Sequence, residues 1–96
     1  MHPLHSIKLT VNFIKEGKHV VAYAPALDIS TVGKTEAHAK ERFLELVRIF
    51  WNDISERHVV GEVLTELGWT NVSTQSTPQW VPPSVTSVDL QIPITA

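Results

Sequence analysis

Cysteine is absent from the 96 residues. The chain can therefore form no disulfide, build no thiolate metal site and use no thiol nucleophile, and the absence suits a reducing compartment such as the cytoplasm. No apolar run approaches the roughly 20 residues of a membrane-spanning helix. The opening MHPLHS lacks the basic-then-apolar order of a secretory leader, so none is expected. A large charge excess is missing too. The net charge of −2 argues against a phosphate-binding surface spread over the whole domain, while leaving room for a local basic patch. There are no internal repeats and no low-complexity tract. No Ser-His-Asp order, glycine-rich phosphate loop or paired acid stands out either.

What is present is periodicity. Hydrophobic residues make up 43% and charged residues 19%, the proportions of one globular domain over 1–96 with a modest buried core. That core is expected over about 5–69, followed by a loop at 70–84 and a C-terminal strand at 85–94. His5 to Ile14 alternates, with Ile7, Leu9, Val11 and Phe13 against Lys8, Thr10 and Asn12, so it reads as a strand with one buried face. Lys15-Glu16-Gly17-Lys18 is a hairpin turn, with Gly17 free to take positive φ. His19 to Ala24 is a second strand with small residues, Ala22 and Ala24, beside Val20 on one face. Pro25 ends it, and Leu27 to Val32 alternates as a third.

Thr35 to about Ser55 is the longest periodic stretch. Thr35 serves as N-cap and Glu36 suits the first turn; His38 holds the place where the glutamate of a capping box would stand. Phe43, Leu44, Val47, Phe50, Trp51 and Ile54 fall in one broad sector, wide enough to cover a sheet. Phe43, Val47, Phe50 and Ile54 are expected to pack on Val11, Phe13, Val20 and Ala22. Leu46 and Ile49 lie outside the sector, on the flank shared by Arg42 and Asp53. Val59 to Leu67 reads as a short helix, with Gly68 beyond its end and Trp69 folding back on Leu64. Thr70 to Ser84 reads as a loop anchored by Trp80. Val85 to Ile94 alternates again, its face formed by Thr86, Val88, Leu90, Ile92 and Ile94. The whole is an α+β fold, a three-stranded antiparallel meander covered by one long helix, then a short helix and a C-terminal strand.

The residues VAYAPALDIS, VGKTEAHAKERF and GEVLTELGW together resemble the HicB family of antitoxin-like domains over roughly residues 7–69. The matching positions are Tyr23, Pro25, Leu27, Gly33, Thr35, Glu36 and Ala37; Asp28-Ile29 stands where Pro-Gly commonly follows the leucine. The resemblance implies a partial ribonuclease-H-like βββαβ fold. It also implies a partner, a small HicA-type ribonuclease toxin whose catalytic histidine the HicB domain blocks. The separate C-terminal DNA-binding domain of many such antitoxins has no counterpart in these 96 residues.

Chemistry of the ribonuclease-H kind needs clustered carboxylates to hold two metal ions. Here only Asp28 is expected in a meander strand, with Asp89 in the last one. His2, His5, His19, His38 and His58 are scattered, and His2 with His5 falls short of the three or four ligands of a built site. The chain is therefore expected to be non-catalytic, with no metal and no cofactor. Lys8, Lys15, Lys18 and Lys34 gather near the hairpin, as a solvated face or as a nucleic-acid contact. SVDLQIPITA is similar to the strand of a ribbon-helix-helix protein, without the helices that would follow. The alternative function is thus a small nucleic-acid-binding or regulatory protein acting as a homo-oligomer. A homodimer or higher homo-oligomer is expected in either case, its interface built from Leu46, Ile49, Trp80, Val88, Leu90 and Ile92, with the loop 70–84 long enough to carry the C-terminal strand onto another subunit. The competing arrangement returns that strand to its own sheet and covers Leu46 and Ile49 with Val60 and Leu64 of the short helix.

Overall fold

The computed structural model describes residues 7–73 and 79–95. Strands β1 (Asn12–Glu16), β2 (His19–Ala24) and β3 (Ile29–Gly33) form an antiparallel sheet in that order. Helix α1 (Glu36–Glu56) follows, then α2 (Val60–Glu66). The ribbon of β4 (Thr70–Asn71) and β5 (Trp80–Val81) comes last. This is the α+β layout that the order of periods predicts. His2, His5 and the start of the expected first strand lie outside the described residues, as do positions 74–78 of the expected loop.

The β1–β2 hairpin closes on a two-residue turn between the paired Glu16 and His19. Gly17 takes φ of 60° there, the first-position glycine that matches strand twist. Asn12 is the first residue of the ladder, opposite Tyr23. The expected strand begins earlier, at His5. Beyond Ala24 the partner chain is Pro25, which has no N–H and enters a turn, so Ile7 to Val11 continues without ladder bonds. In that turn Leu27 N–H donates to Ala24 O and Asp28 N–H to Pro25 O, both at 3.2 Å. Asp28 sits there with φ of 53°. It belongs to the turn and not to the third strand, a correction to the alternation of LDISTV.

Directly opposed residues share a sheet face. Phe13, Ala22 and Thr31 are aligned, as are Val20 and Gly33, and this face meets α1. The helix lies over β3 and β2. Its close seat depends on Gly33: a Cβ there would stand 2.6 Å from Ala39 Cα and 2.9 Å from His38 C. The Thr35 hydroxyl accepts from His38 N–H at 3.1 Å, the expected cap. His38 Nδ1 accepts from Lys34 N–H at 3.0 Å, so the histidine reaches back as a capping-box glutamate does, one residue further.

Both helices end in the double-bonded αL motif. At the first end Val59 N–H donates to Ile54 O at 3.0 Å and His58 N–H to Ser55 O at 3.1 Å. At the second, Trp69 N–H donates to Leu64 O at 2.9 Å and Gly68 N–H to Thr65 O at 3.1 Å. The left-handed residues are His58 (φ 57°) and Gly68 (φ 93°).

The core is in two parts. Val20, Ala22, Ala24, Ala39 and Phe43 are buried together, with Leu9, Val11, Ile29 and Val47 packed against them. Ala26, Leu27, Leu64 and Trp69 form the second cluster, joined by half-buried Phe50, Trp51, Val60 and Trp80. The helix phase predicted from sequence is right at Phe43 and Ile54, which are buried. It is wrong at Leu44, which is 59% exposed. The helix rests on β2 and β3, so the side of its apolar sector that overhangs β1 has nothing beneath it. Phe13, an expected contact of the helix, is exposed for the same reason.

Two further expectations change. The stretch read as a plain loop over 70–84 contains the β4–β5 ribbon, in which Val72 N–H donates to Gln79 O at 2.9 Å. The C-terminal strand is not a strand in the single chain: residues 85–95 carry no ladder pairing among the described residues. Alternation shows that a face is suited to covering, but a strand exists only beside a neighbour that takes its hydrogen bonds.

Candidate functional site

The candidate surfaces follow from this arrangement of strands. On the sheet face away from α1, Ile14 opposes Val21, and Val21 opposes Val32. The three make one cross-strand apolar row. Ile14 and Val32 are each 46% exposed. The neighbouring row holds Asn12, Tyr23 and Ser30. Tyr23 donates its hydroxyl to Asp28 Oδ1 at 3.3 Å, so the turn after β2 is tied to this open face. The Tyr23 phenol is pushed above its usual value of 10.0, first by desolvation, then by the negative charge of Asp28 and its hydrogen bond.

On the other face, the uncovered flank of α1 and the β1 side of the sheet enclose a groove of about 640 Å³. Ile7, Leu9, Val11 and Phe13 form one wall. Phe43, Leu44 and Val47 form the other, with Glu36 and Lys40 on the rim. A second depression, at the hairpin end, has Lys15, Lys18, His19 and Lys34 in its lining, together with Glu36. Lys8 lies elsewhere, beside Leu9, Thr10, Ala26, Pro82, Pro83 and Val85. The lysines read as one cluster in the sequence thus divide three to one.

The expected interface residues are not brought together on one patch. Leu46 and Ile49 are exposed on the α1 flank away from the groove, Ile49 at 57%. Val60 and Leu64 pack into the second core cluster with Phe50 and Trp51 and leave that flank open. Trp80 is half-buried against the same cluster and stands 3.8 Å from the place of a Cβ on Gly61. Val88, Leu90 and Ile92 are 67–71% exposed along the unpaired segment. Asp28 and Asp89 are far apart in role, one in a tight turn and one on that segment. Among the described residues no group of three or more His, Asp or Glu side chains is placed to hold a metal ion. Among them also, no helix is long and apolar enough to cross a membrane.

Sequence reasoning missed both the open-face row and the groove. Each strand contributes one residue to the row, so no single segment reveals it; the signal was there only once the register was known. The groove was hidden because Leu44 and Phe13 look like core by period. No protein-family model, no curated protein and no solved structure matches the chain.

Proposed function

We propose that the chain is a non-catalytic, HicB-like interaction module of the cytoplasm that binds and inhibits a small HicA-type ribonuclease toxin. The observation that carries this reading is the uncovered apolar row Ile14–Val21–Val32 on the open face of the sheet. A contiguous exposed apolar surface marks a protein-binding site more often than a scattered one does. The meander with its long helix is the layout the family resemblance implies, and the partial ribonuclease-H-like assignment belongs to this proposal. The residues that carry the resemblance also do matching structural work: Tyr23 ties the turn, Gly33 admits the helix and Thr35 caps it.

Titration of the purified chain into a HicA-type ribonuclease, followed by calorimetry and by RNA cleavage, tests it. Binding should silence cleavage, and the double variant Val21→Lys with Val32→Lys should bind at least about tenfold more weakly, a loss of about 1.4 kcal/mol. Undiminished cleavage at saturating chain would remove the reading.

The second reading is nucleic-acid binding, favoured by the three lysines Lys15, Lys18 and Lys34 around one depression. Affinity for RNA or DNA through such contacts must fall steeply with salt. Three phosphate contacts would give a logarithmic slope of about −2 to −3, and a flat salt response would exclude it.

A further inference from the structure

We infer that the groove between β1 and α1 receives the segment 85–95 of a second copy of this chain, as an added strand, in a twofold exchange. The inference stands apart from the toxin reading, which uses the opposite face of the sheet.

The groove asks for a strand. One of its walls is the β1 side of the sheet, and β1 has β2 on one edge and no partner on the other among the described residues. Its outer N–H and C=O groups are those an added strand would pair. Its apolar lining, Ile7, Val11, Phe13, Leu44 and Val47, is longer than any single side chain could cover. Seven residues from Ile7 to Phe13 span about 23 Å at strand rise, and the eleven residues 85–95 are long enough to match them.

The segment asks for a groove. Val88, Leu90, Ile92 and Ile94 are 67–88% exposed, the largest apolar exposures in the described chain. They alternate, so in an extended conformation they share one side. Laid on the groove with that side inward, the segment turns Asp89 and Gln91 outward. On β1 and the stretch before it, the residues alternating with the apolar wall are Lys8, Thr10 and Asn12. Asp89, the sole charge of the segment, then shares a face with Lys8, and the apolar residues share the other. The polarity and charge of the two strips agree.

The occupant is a second copy because the segment leaves its own body. Its root, with Pro82, Pro83 and Val85, lies beside Lys8, Leu9 and Thr10. The two prolines fix φ and stiffen the departure. Beyond them Val88, Leu90, Ile92 and Ile94 are mostly exposed. The Cα radius of gyration of 16.4 Å exceeds the roughly 12 Å of a compact chain this long. Exchange between two copies covers both grooves and both segments by one symmetry operation. A standard interface buries about 1,600 Å² in total. Half of that per arm, shared equally by arm and groove, asks only about 40 Å² of each of the eleven residues.

The test uses the full chain. Sedimentation equilibrium at micromolar concentration should give twice the 10.7 kDa formula mass. Leu90→Lys with Ile92→Lys, and separately Leu44→Lys, should return it to one formula mass, whereas Ile49→Lys on the other flank should leave the dimer. Far-ultraviolet circular dichroism confirms that each variant folds. Because the chain has no cysteine, a mixture of Leu44→Cys and Leu90→Cys copies reports the contact directly. Oxidation should give a covalent pair containing one of each. A monomeric wild type overturns the inference. So does a dimer that survives the Leu90/Ile92 and Leu44 changes, or a Leu44→Cys/Leu90→Cys double variant that oxidises within one chain as a monomer. Loss of toxin binding with the dimer intact would strike only the functional reading.

Discussion

The indole Nε1 of Trp69 donates to the carbonyl oxygen of Ala26 at 2.8 Å, across 43 positions of sequence. Both residues are buried. One hydrogen bond thus joins the turn after β2 to the chain leaving α2, and it sits in the second core cluster with Leu27 and Leu64. Trp69→Phe keeps most of the apolar area but leaves a buried carbonyl unmet, and is expected to cost about 1–3 kcal/mol. Trp69→Ala removes the packing as well and should cost about 3–5 kcal/mol. Denaturant unfolding followed by circular dichroism measures both; equal losses for the two variants would show that the hydrogen bond, not the ring, dominates.

The two flanks of the apolar sector of α1 should respond differently to truncation. Phe43 is buried against Ala22 and Ala24, and Phe43→Ala is expected to lower stability by about 3–5 kcal/mol. Phe50, half-buried beside the second cluster, should lose about half as much. Leu44→Ala should cost under about 1 kcal/mol in the monomer, since its side chain overhangs the groove. Unfolding at a concentration where the chain is monomeric separates them. A large loss at Leu44 there would place β1 under the helix after all.

Backbone demands give opposite outcomes at two positions. Gly33→Ala puts a methyl against the backbone of Ala39 and His38, where no side chain can swing aside. A loss at the upper end of the overpacking range, about 3 kcal/mol, is expected. His58 holds φ of 57° at the end of α1, a conformation that costs a side chain about 1 kcal/mol. His58→Gly should therefore raise the unfolding midpoint, because the relief in the folded state outweighs glycine's greater freedom in the unfolded one. Thermal melts of the two variants should move in opposite directions.

Tyr23 is the only tyrosine in the chain, so the ultraviolet absorbance of tyrosinate reports one site. Its titration should lie above 10 in the folded protein, through desolvation first and Asp28 second. Asp28→Asn should bring it part of the way down. The sign for stability follows: the folded state holds the phenolic proton more tightly, so this contribution is complete below about pH 10 and is lost as pH rises through the folded value. A folded-state titration at or below 10 would contradict the geometry at Asp28.

Local pattern alone determined much of this protein. The limits of β2 and α1, the cap at Thr35, the turn glycine Gly17 and the stop at Gly68 each depend on neighbours within a few positions. Their signals are therefore complete in the sequence. Tertiary structure decided where each apolar face would find a partner. Leu44 and Phe43 are neighbours in one sector, yet the helix seats on β2 and β3 because Gly33 and the alanines Ala22 and Ala24 let it come close there. That seat buries Phe43 and leaves Leu44 over an empty groove. Asp28 lies outside the third strand because Ala24 to Asp28 is held in a turn by two backbone bonds that Asp28 leaves with positive φ, a constraint that alternation does not encode. The row Ile14–Val21–Val32 came into being only with the register. Val88, Leu90 and Ile92 have the period of a strand without being one, because pairing belongs to two segments and only one of them is written in their own residues.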